Sequence, residues 1–192
     1  MSHQESARRQ LEPGSVLALG ELRPLAGDPI RIPGHSRVHL QLRRFAGCPV
    51  CDLHLRSFVR EHSVISAAGL LEVVVFHSSE QELRAYAGDL PFAVVADPEK
   101  RLYQALGAEL APRALLDPRA WPAMVGGSLR SAWSTLAHGR RLPPFQPQGG
   151  SLGLPADFLI AGDGRVLACK YGQHAADHWS VAELLALAQR SR

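Results

Sequence analysis

Cys48-Pro49-Val50-Cys51 puts two thiols at the junction between an apolar, strand-like run and a helix-like one. A thiol reacts as the thiolate, and a helix N-terminus favours that form. Cys48 falls at the N-cap, and Pro49 at the first helical position, where its missing N–H costs nothing. First-turn amides, which lack partners inside the helix, then point at the Cys48 sulfur. Cys51 follows one turn later on the same face, near enough for a disulfide with little backbone movement. This predicts that Cys48 is the more exposed and more acidic nucleophile and Cys51 the resolving thiol of an exchange pair. Two other chemistries compete. The pair could be two inert core cysteines, or half a zinc site. For zinc, His54 would share the face three residues after Cys51, and Cys169 or His174 would supply the fourth ligand. Outside such a set, His54 reads as a solvated helix histidine and Cys169 as a core or edge residue of the last strand.

The rest of the chain must build a platform for that junction. Its 192 residues suit one domain, with enough length to bury a core without staples. Three cysteines do not make a disulfide scaffold, and in a reducing compartment a CxxC pair is redox-active or metal-binding. The net charge of +3 is spread over isolated Arg pairs, with Lys100 and Lys170 the only lysines. No basic stripe points to nucleic acid. No run approaches the length of a membrane span, and the polar start of the chain is not a signal peptide. The expected location is cytoplasmic.

Elements alternate along the sequence. Residues 1–12 read as flexible, and the single domain as 13–192. Turns at Pro13-Gly14 and at 26–29 flank short strands at 16–19 and 30–32, an N-terminal hairpin. Val38, Leu40 and Leu42 alternate on one strand face. A helix runs from Pro49 to about Ala68 with Leu53, Phe58, Val59 and Ile65 toward the sheet, and Gly69 stops it. Leu70–Phe76 is a strand buried on both faces. Ser79 with Glu82 caps the next helix, 92–96 is another strand, and Asp97-Pro98 opens a short helix that Gly107 stops. Residues 108–153 break the pattern and read as an insertion, helix-like over 122–137 with Trp133 and Leu136, then a long loop. A strand at 157–160, a turn at 161–164, its partner at 165–170 and a helix capped by Ser180 and Glu183 complete the chain. The fold class is α/β: a mixed central sheet, parallel early and antiparallel at its closing hairpin, flanked by helices.

This pattern resembles the thioredoxin superfamily, and within it the peroxiredoxin-like, AhpC/TSA branch. The resemblance rests on the hairpin, the strand-Cys48-Pro49-Val50-Cys51-helix unit, the strand at 73–76, and Leu154-Pro155-Ala156-Asp157-Phe158-Leu159-Ile160 followed by Gly162-Asp163-Gly164. It implies a thioredoxin-like fold, with Pro155 as the cis-proline that faces the thiols; the alternative is a plain proline at the start of a strand. The sequence departs from the branch twice. Phe45, not Thr, stands three residues before Cys48, and if Cys51 holds the peroxidatic place then Cys48 replaces that Thr. Pro155 also stands where the branch carries a peroxide-binding Arg, so another cation must serve: Arg44 before Arg56 or Arg130.

What the resemblance implies for function is an antioxidant oxidoreductase that cycles a Cys48/Cys51 dithiol to reduce peroxides or protein disulfides. It would need no cofactor and would be regenerated by a thioredoxin- or glutathione-type reductant. It also allows a homodimer, with Trp121, Trp133 and Met124 making the insertion a lid, a subunit contact or its own small core. A redox sensor or a zinc-binding interaction module on the same fold is the alternative.

Overall fold

The computed structural model describes residues 10–108, 116–138, 150 and 152–191. Five strands form the central sheet in the order β5-β4-β3-β6-β7: β3 (Arg37–Arg43), β4 (Leu70–Phe76), β5 (Ala93–Ala96), β6 (Ala156–Ile160) and β7 (Val166–Tyr171). β3 pairs parallel with β4 and β4 with β5, whereas β6 runs antiparallel to both β3 and β7. This is the expected α/β, thioredoxin-like architecture.

A separate two-stranded hairpin precedes the sheet, β1 (Gly20–Leu22) against β2 (Ile30–Ile32). Its first strand lies later than the expected 16–19. Residues 14–17 instead line the start of β7: Gly14 N–H donates to the Val166 carbonyl at 2.8 Å, and Leu17 N–H to that of Gly164 at 2.8 Å. Leu25 N–H donates to the Val94 carbonyl at 2.8 Å, so the hairpin loop lines β5 in the same way. Most of the stretch expected to be flexible lies outside the described residues. Leu11, however, is tied to β7, its N–H donating to the Tyr171 hydroxyl at 2.8 Å and its carbonyl accepting from the Cys169 thiol at 3.2 Å.

The helices follow local signals closely. α1 (Pro49–Arg60) and α2 (His62–Ala67) break at Glu61, where one helix was expected, and Gly69 ends the pair at φ +73°. α3 (Glu80–Tyr86) is capped by Ser79, whose oxygen accepts from Glu82 N–H. The Asp97 carboxylate caps α4 (Arg101–Ala105), accepting from the amides of Arg101, Leu102 and Tyr103 at 2.8, 2.9 and 3.3 Å. A 3-10 turn (Pro118–Ala120) leads into α5 (Trp121–His138), the helical part of the expected insertion; the expected loop after it falls mostly outside the described residues. Ser180 and Glu183 form a complete capping box on α6 (Val181–Arg190).

Two apolar clusters hold the layers together. One face of the sheet packs Val38, Leu40, Leu42, Val73, Val75 and Phe158 against the hairpin and Tyr103. The other packs Val74, Phe76 and Leu159 against Leu55 and Phe58 of α1, Ile65 of α2, Leu83 of α3 and Leu184 of α6. Leu53, expected in that layer, is exposed; Val50, Cys51, His54 and Leu55 are buried in its place. Burial of this kind contributes on the order of 25 cal/mol per Å² of apolar surface.

Candidate active site

The loop between β3 and α1 is built to present Cys48. Gly47 takes φ +78°, which a side chain would resist. Cys48 N–H donates to the Phe45 carbonyl at 3.2 Å, and the Cys48 carbonyl accepts the first helical bond from Asp52 N–H at 2.9 Å. Cys48 is thus the N-cap residue in extended conformation, with Pro49 starting the helix. No amide closes a full capping bond on its sulfur, yet the Cys51 and Val50 N–H groups lie where they favour a thiolate.

The two thiols are driven apart in acidity. Burial opposes ionisation of Cys48. A hydrogen bond from the Cys51 thiol, the Arg44 guanidinium and the two amides outweigh it and bring its pKa down to about 6. Cys51 is pushed well above the usual thiol range, first by that same hydrogen bond to Cys48, then by burial and by the Cys48 charge. Both cysteines are reduced. The expectation that Cys48 is exposed is wrong: Cys48 is 1% and Cys51 2% accessible.

α5 is the reason. It crosses the first turns of α1 so closely that a Cβ on Gly127 would lie 2.6 Å from the Pro49 carbonyl oxygen, and one on Gly126 would touch Leu53 at 3.9 Å. Ala123 and Met124 pack inward on the core beside the thiols, while Trp121 and Trp133 point to solvent. Met124 thus belongs to the core cluster that includes the thiols, and the two tryptophans do not.

Arg44 is buried, its guanidinium 5.3 Å from the Phe45 ring, and it acts on both sulfurs through its charge. Arg56 and Arg130 are engaged elsewhere: Arg56 bridges Asp52 and Asp89 at 3.2 Å each, and Arg130 lies 3.9 Å from Asp52. Pro155 does not take the cis form. The one cis peptide among the described residues is Ile32–Pro33. The Pro155 carbonyl accepts from Gly172 N–H at 2.8 Å, just before the Ala156–Tyr171 pair of β6 and β7. Pro155 is therefore a proline at the start of a strand, held by the β6–β7 pairing.

Beneath α1 lies a group of charged side chains that the sequence reading missed. His39, Gln41 and Arg43 project from the second face of β3 and are fully buried. His39 bonds Glu72 at 2.9 Å and Asp157 at 3.2 Å. Gln41 donates to Glu72 at 2.5 Å. Arg43 donates to Gln41 at 2.7 Å, to Asp157 at 2.5 Å and to His54 Nε2 at 3.0 Å. Trp179 N–H closes the set on Asp157 at 3.2 Å. Burial works against a charged His39, but the Glu72 and Asp157 carboxylates overcome it and raise its pKa to about 9. Burial likewise opposes ionisation of Asp157, and Arg43 and His39 hold it well below the carboxylate range. His54 is kept neutral by burial and by Arg43, so it is not a solvated histidine, and its Nε2 is committed to Arg43. His178 lies against it, with ring centroids 3.5 Å apart and the rings tilted by 33°. Burial, then Arg43, lowers the His178 pKa to about 3. The zinc set of Cys48, Cys51 and His54 is not assembled, and no group of three or more metal-binding side chains occurs among the described residues. A signal for the charged group was present: Glu72 and Asp157 are lone acids in otherwise apolar strands flanking the polar alternation of β3.

The model of one protein family, described as AhpC/TSA antioxidant enzyme, matches residues 57–174. The chain belongs to this family. It is an oxidoreductase with a thiol-dependent redox role. The matched span begins after the thiol pair, so the roles of Cys48 and Cys51 rest on their own geometry. Solved structures share the fold. Peroxiredoxin 6 of Arenicola marina, as a cysteine-to-serine mutant, is 15% identical, with a TM-score of 0.66 over 93% of this chain and 72% of that one. Peroxidoxin BcpB from Mycobacterium tuberculosis is 16% identical, with a TM-score of 0.65 over 95% and 99%. Reduced Prx3 from Vibrio vulnificus in complex with hydrogen peroxide is 16% identical, with a TM-score of 0.64 over 94% and 97%. No curated protein matches the chain in sequence. Among the described residues, no helix is long and apolar enough to cross a membrane.

Proposed function

We propose that the protein is a dithiol peroxidase in which Cys48 attacks and Cys51 resolves. The observation that carries this is the placement of two hydrogen-bonded thiols at the start of α1 beside the Arg44 charge, which favours the Cys48 thiolate and holds the proton on Cys51. The Cys48 thiolate attacks the terminal oxygen of a hydroperoxide and breaks the O–O bond. Cys48 becomes a sulfenic acid, and the departing alkoxide or hydroxide takes a proton. Cys51 then condenses with the sulfenic acid, releasing water and forming the Cys48–Cys51 disulfide. A thioredoxin- or glutathione-type thiol returns both to the reduced state. Arg44 holds the thiolate and favours negative charge on the departing oxygen.

Burial separates the two substrate classes. A hydroperoxide needs only a small opening beside α5 to reach Cys48, whereas a folded protein disulfide needs the helix displaced. Peroxide is therefore the oxidant, and displacement of α5 belongs to the regeneration step. The hydrogen peroxide bound by the Vibrio vulnificus protein agrees with this choice of substrate.

Rapid-mix peroxide consumption tests the reading. Cys48→Ser should lower the rate by more than roughly 10³. Cys51→Ser should accumulate a sulfenic acid that dimedone traps on Cys48, and the wild type should form a Cys48–Cys51 bond that dithiothreitol removes. Sulfenic acid on Cys51 in a fully active Cys48→Ser variant would reverse the roles. Insulin reduction without peroxide consumption would make the protein a disulfide reductase.

A further inference from the structure

α5 is apolar on both sides. Its inner face, with Gly127 at its centre, lies on Pro49 and the core. Its outer face carries Trp121, Val125, Leu129, Trp133 and Leu136, each between 56% and 84% exposed. At 100° per residue these five fall within about 120° of arc, directly opposite Gly127. Arg130 is the only Asp, Glu, Lys or Arg in the helix, and it sits at the edge of the stripe, turned toward Asp52. The positions of the serines, Thr135 and Arg130 lie outside this arc, so the largest apolar side chains of the helix are concentrated on the side that has no core of its own.

The size of the stripe narrows what covers it. Two tryptophans and three aliphatic side chains, each more than half exposed, present on the order of 700 Å². That exceeds the largest apolar patch of a typical monomer, about 300–600 Å². It approaches the roughly 800 Å² per partner of a stable protein interface. Trp121, Val125, Leu129 and Trp133 recur every four residues, the ridge that interdigitates with its own copy when two helices cross. The stripe has no charge to repel a copy of itself. Leu129 lies at its middle with Val125 and Trp133 one turn to either side, so a two-fold axis beside Leu129 sets Trp133 of one copy toward Val125 of the other. That is the self-complementary pattern of an isologous contact.

We propose that the outer face of α5 is the interface of a two-fold homodimer, which places both covered thiol sites beneath one shared helix pair. Sedimentation velocity on the full chain tests this, from about 1 to 200 µM. The wild type is expected to run as a dimer. Leu129→Glu, placed at the axis, should weaken association at least about 30-fold while far-UV circular dichroism stays that of the wild type. Leu129→Cys gives an answer even if the glutamate variant misfolds: on air oxidation, peptide mapping should find a bond between residue 129 of one copy and residue 129 of another. A wild type that stays monomeric at 200 µM overturns the proposal, whether or not it binds anionic lipid vesicles through α5. So does a dimer that survives Leu129→Glu and yields no 129–129 bond.

Discussion

Ionisable side chains are buried at two depths beneath the same helix, and they are balanced differently. At the start of α1, the Cys48 thiolate faces one nearby cation, Arg44, and a few helix amides. Deeper under α1, Arg43 and a protonated His39 face Glu72 and Asp157, two charges of each sign joined by hydrogen bonds of 2.5 to 3.2 Å. The deeper set is closed, since its formal charges cancel. The thiol pair has no such balance of charges, and on the proposed mechanism Arg44 and the helix amides that hold its thiolate also serve the incoming oxidant. The contrast shows how one fold can bury charge for rigidity at one point and for reactivity only a few residues away.

The largest effect should come from opening the closed set. Asp157→Asn leaves Arg43 and His39 facing one fewer anion and should cost about 3–5 kcal/mol in urea unfolding. The Cys48 pKa in the folded variant, read from the thiolate absorbance, should stay near the wild-type value; a large rise would mean that the two groups are one system. A second effect follows pH. His39 has its pKa raised on folding, so its stabilisation is complete below about 6.5 and is lost as pH climbs through about 9. That loss is at most about 3 kcal/mol, and His39→Gln should flatten it. On the acid side, His54 and His178 are neutral in the fold but take protons when unfolded, and Asp157 is charged in the fold. Stability should therefore fall below pH 6.5 and fall faster in the carboxylate range. Urea midpoints between pH 3 and 10 check both limbs.

Smaller effects address the thiol pair. Gly127→Ala forces a methyl group against the Pro49 carbonyl. It should cost about 1–3 kcal/mol and speed iodoacetamide labelling of Cys48 by lifting the cover. Unchanged labelling would show that α5 does not limit access. Arg44→Gln should raise the Cys48 pKa by about 1, slowing peroxide reduction most at pH 6, where the thiolate fraction falls, and less above pH 8, where only the charge beside the departing oxygen is lost.

What the sequence disclosed about this molecule was whatever a few neighbouring residues decide. Pro49 after Cys48, the Ser180–Glu183 box and the glycines at 69 and 107 act within one turn and appear where expected, whereas the helix expected to open at Asp97-Pro98 begins at Arg101, with the Asp97 carboxylate capping it from four residues before. The parallel and antiparallel parts of the sheet were legible for a related reason, since long and short connections permit different pairings. Errors arose where distant segments decide. Residues 14–17 pair with β7 rather than with 30–32. Pro155 follows the β6–β7 register. Leu53 is exposed and the thiols are buried because the face of α1 that turns inward is set by the distant segments packed against it. The polar side of β3 becomes a charge network only because β4 and β6 bring Glu72 and Asp157 beside it and α1 packs on it through His54 and Phe58.

Both margins of the central sheet are already occupied by the chain's own backbone, β5 by Leu25 and the start of β7 by residues 14–17. A free margin would invite another polypeptide to add itself as a further strand, the usual beginning of fibrous aggregation. The segments before the first sheet strand therefore act as selvedges, finishing the cloth so that it neither frays nor grows, and trimming them away is expected to leave strand margins that stitch to a neighbouring chain.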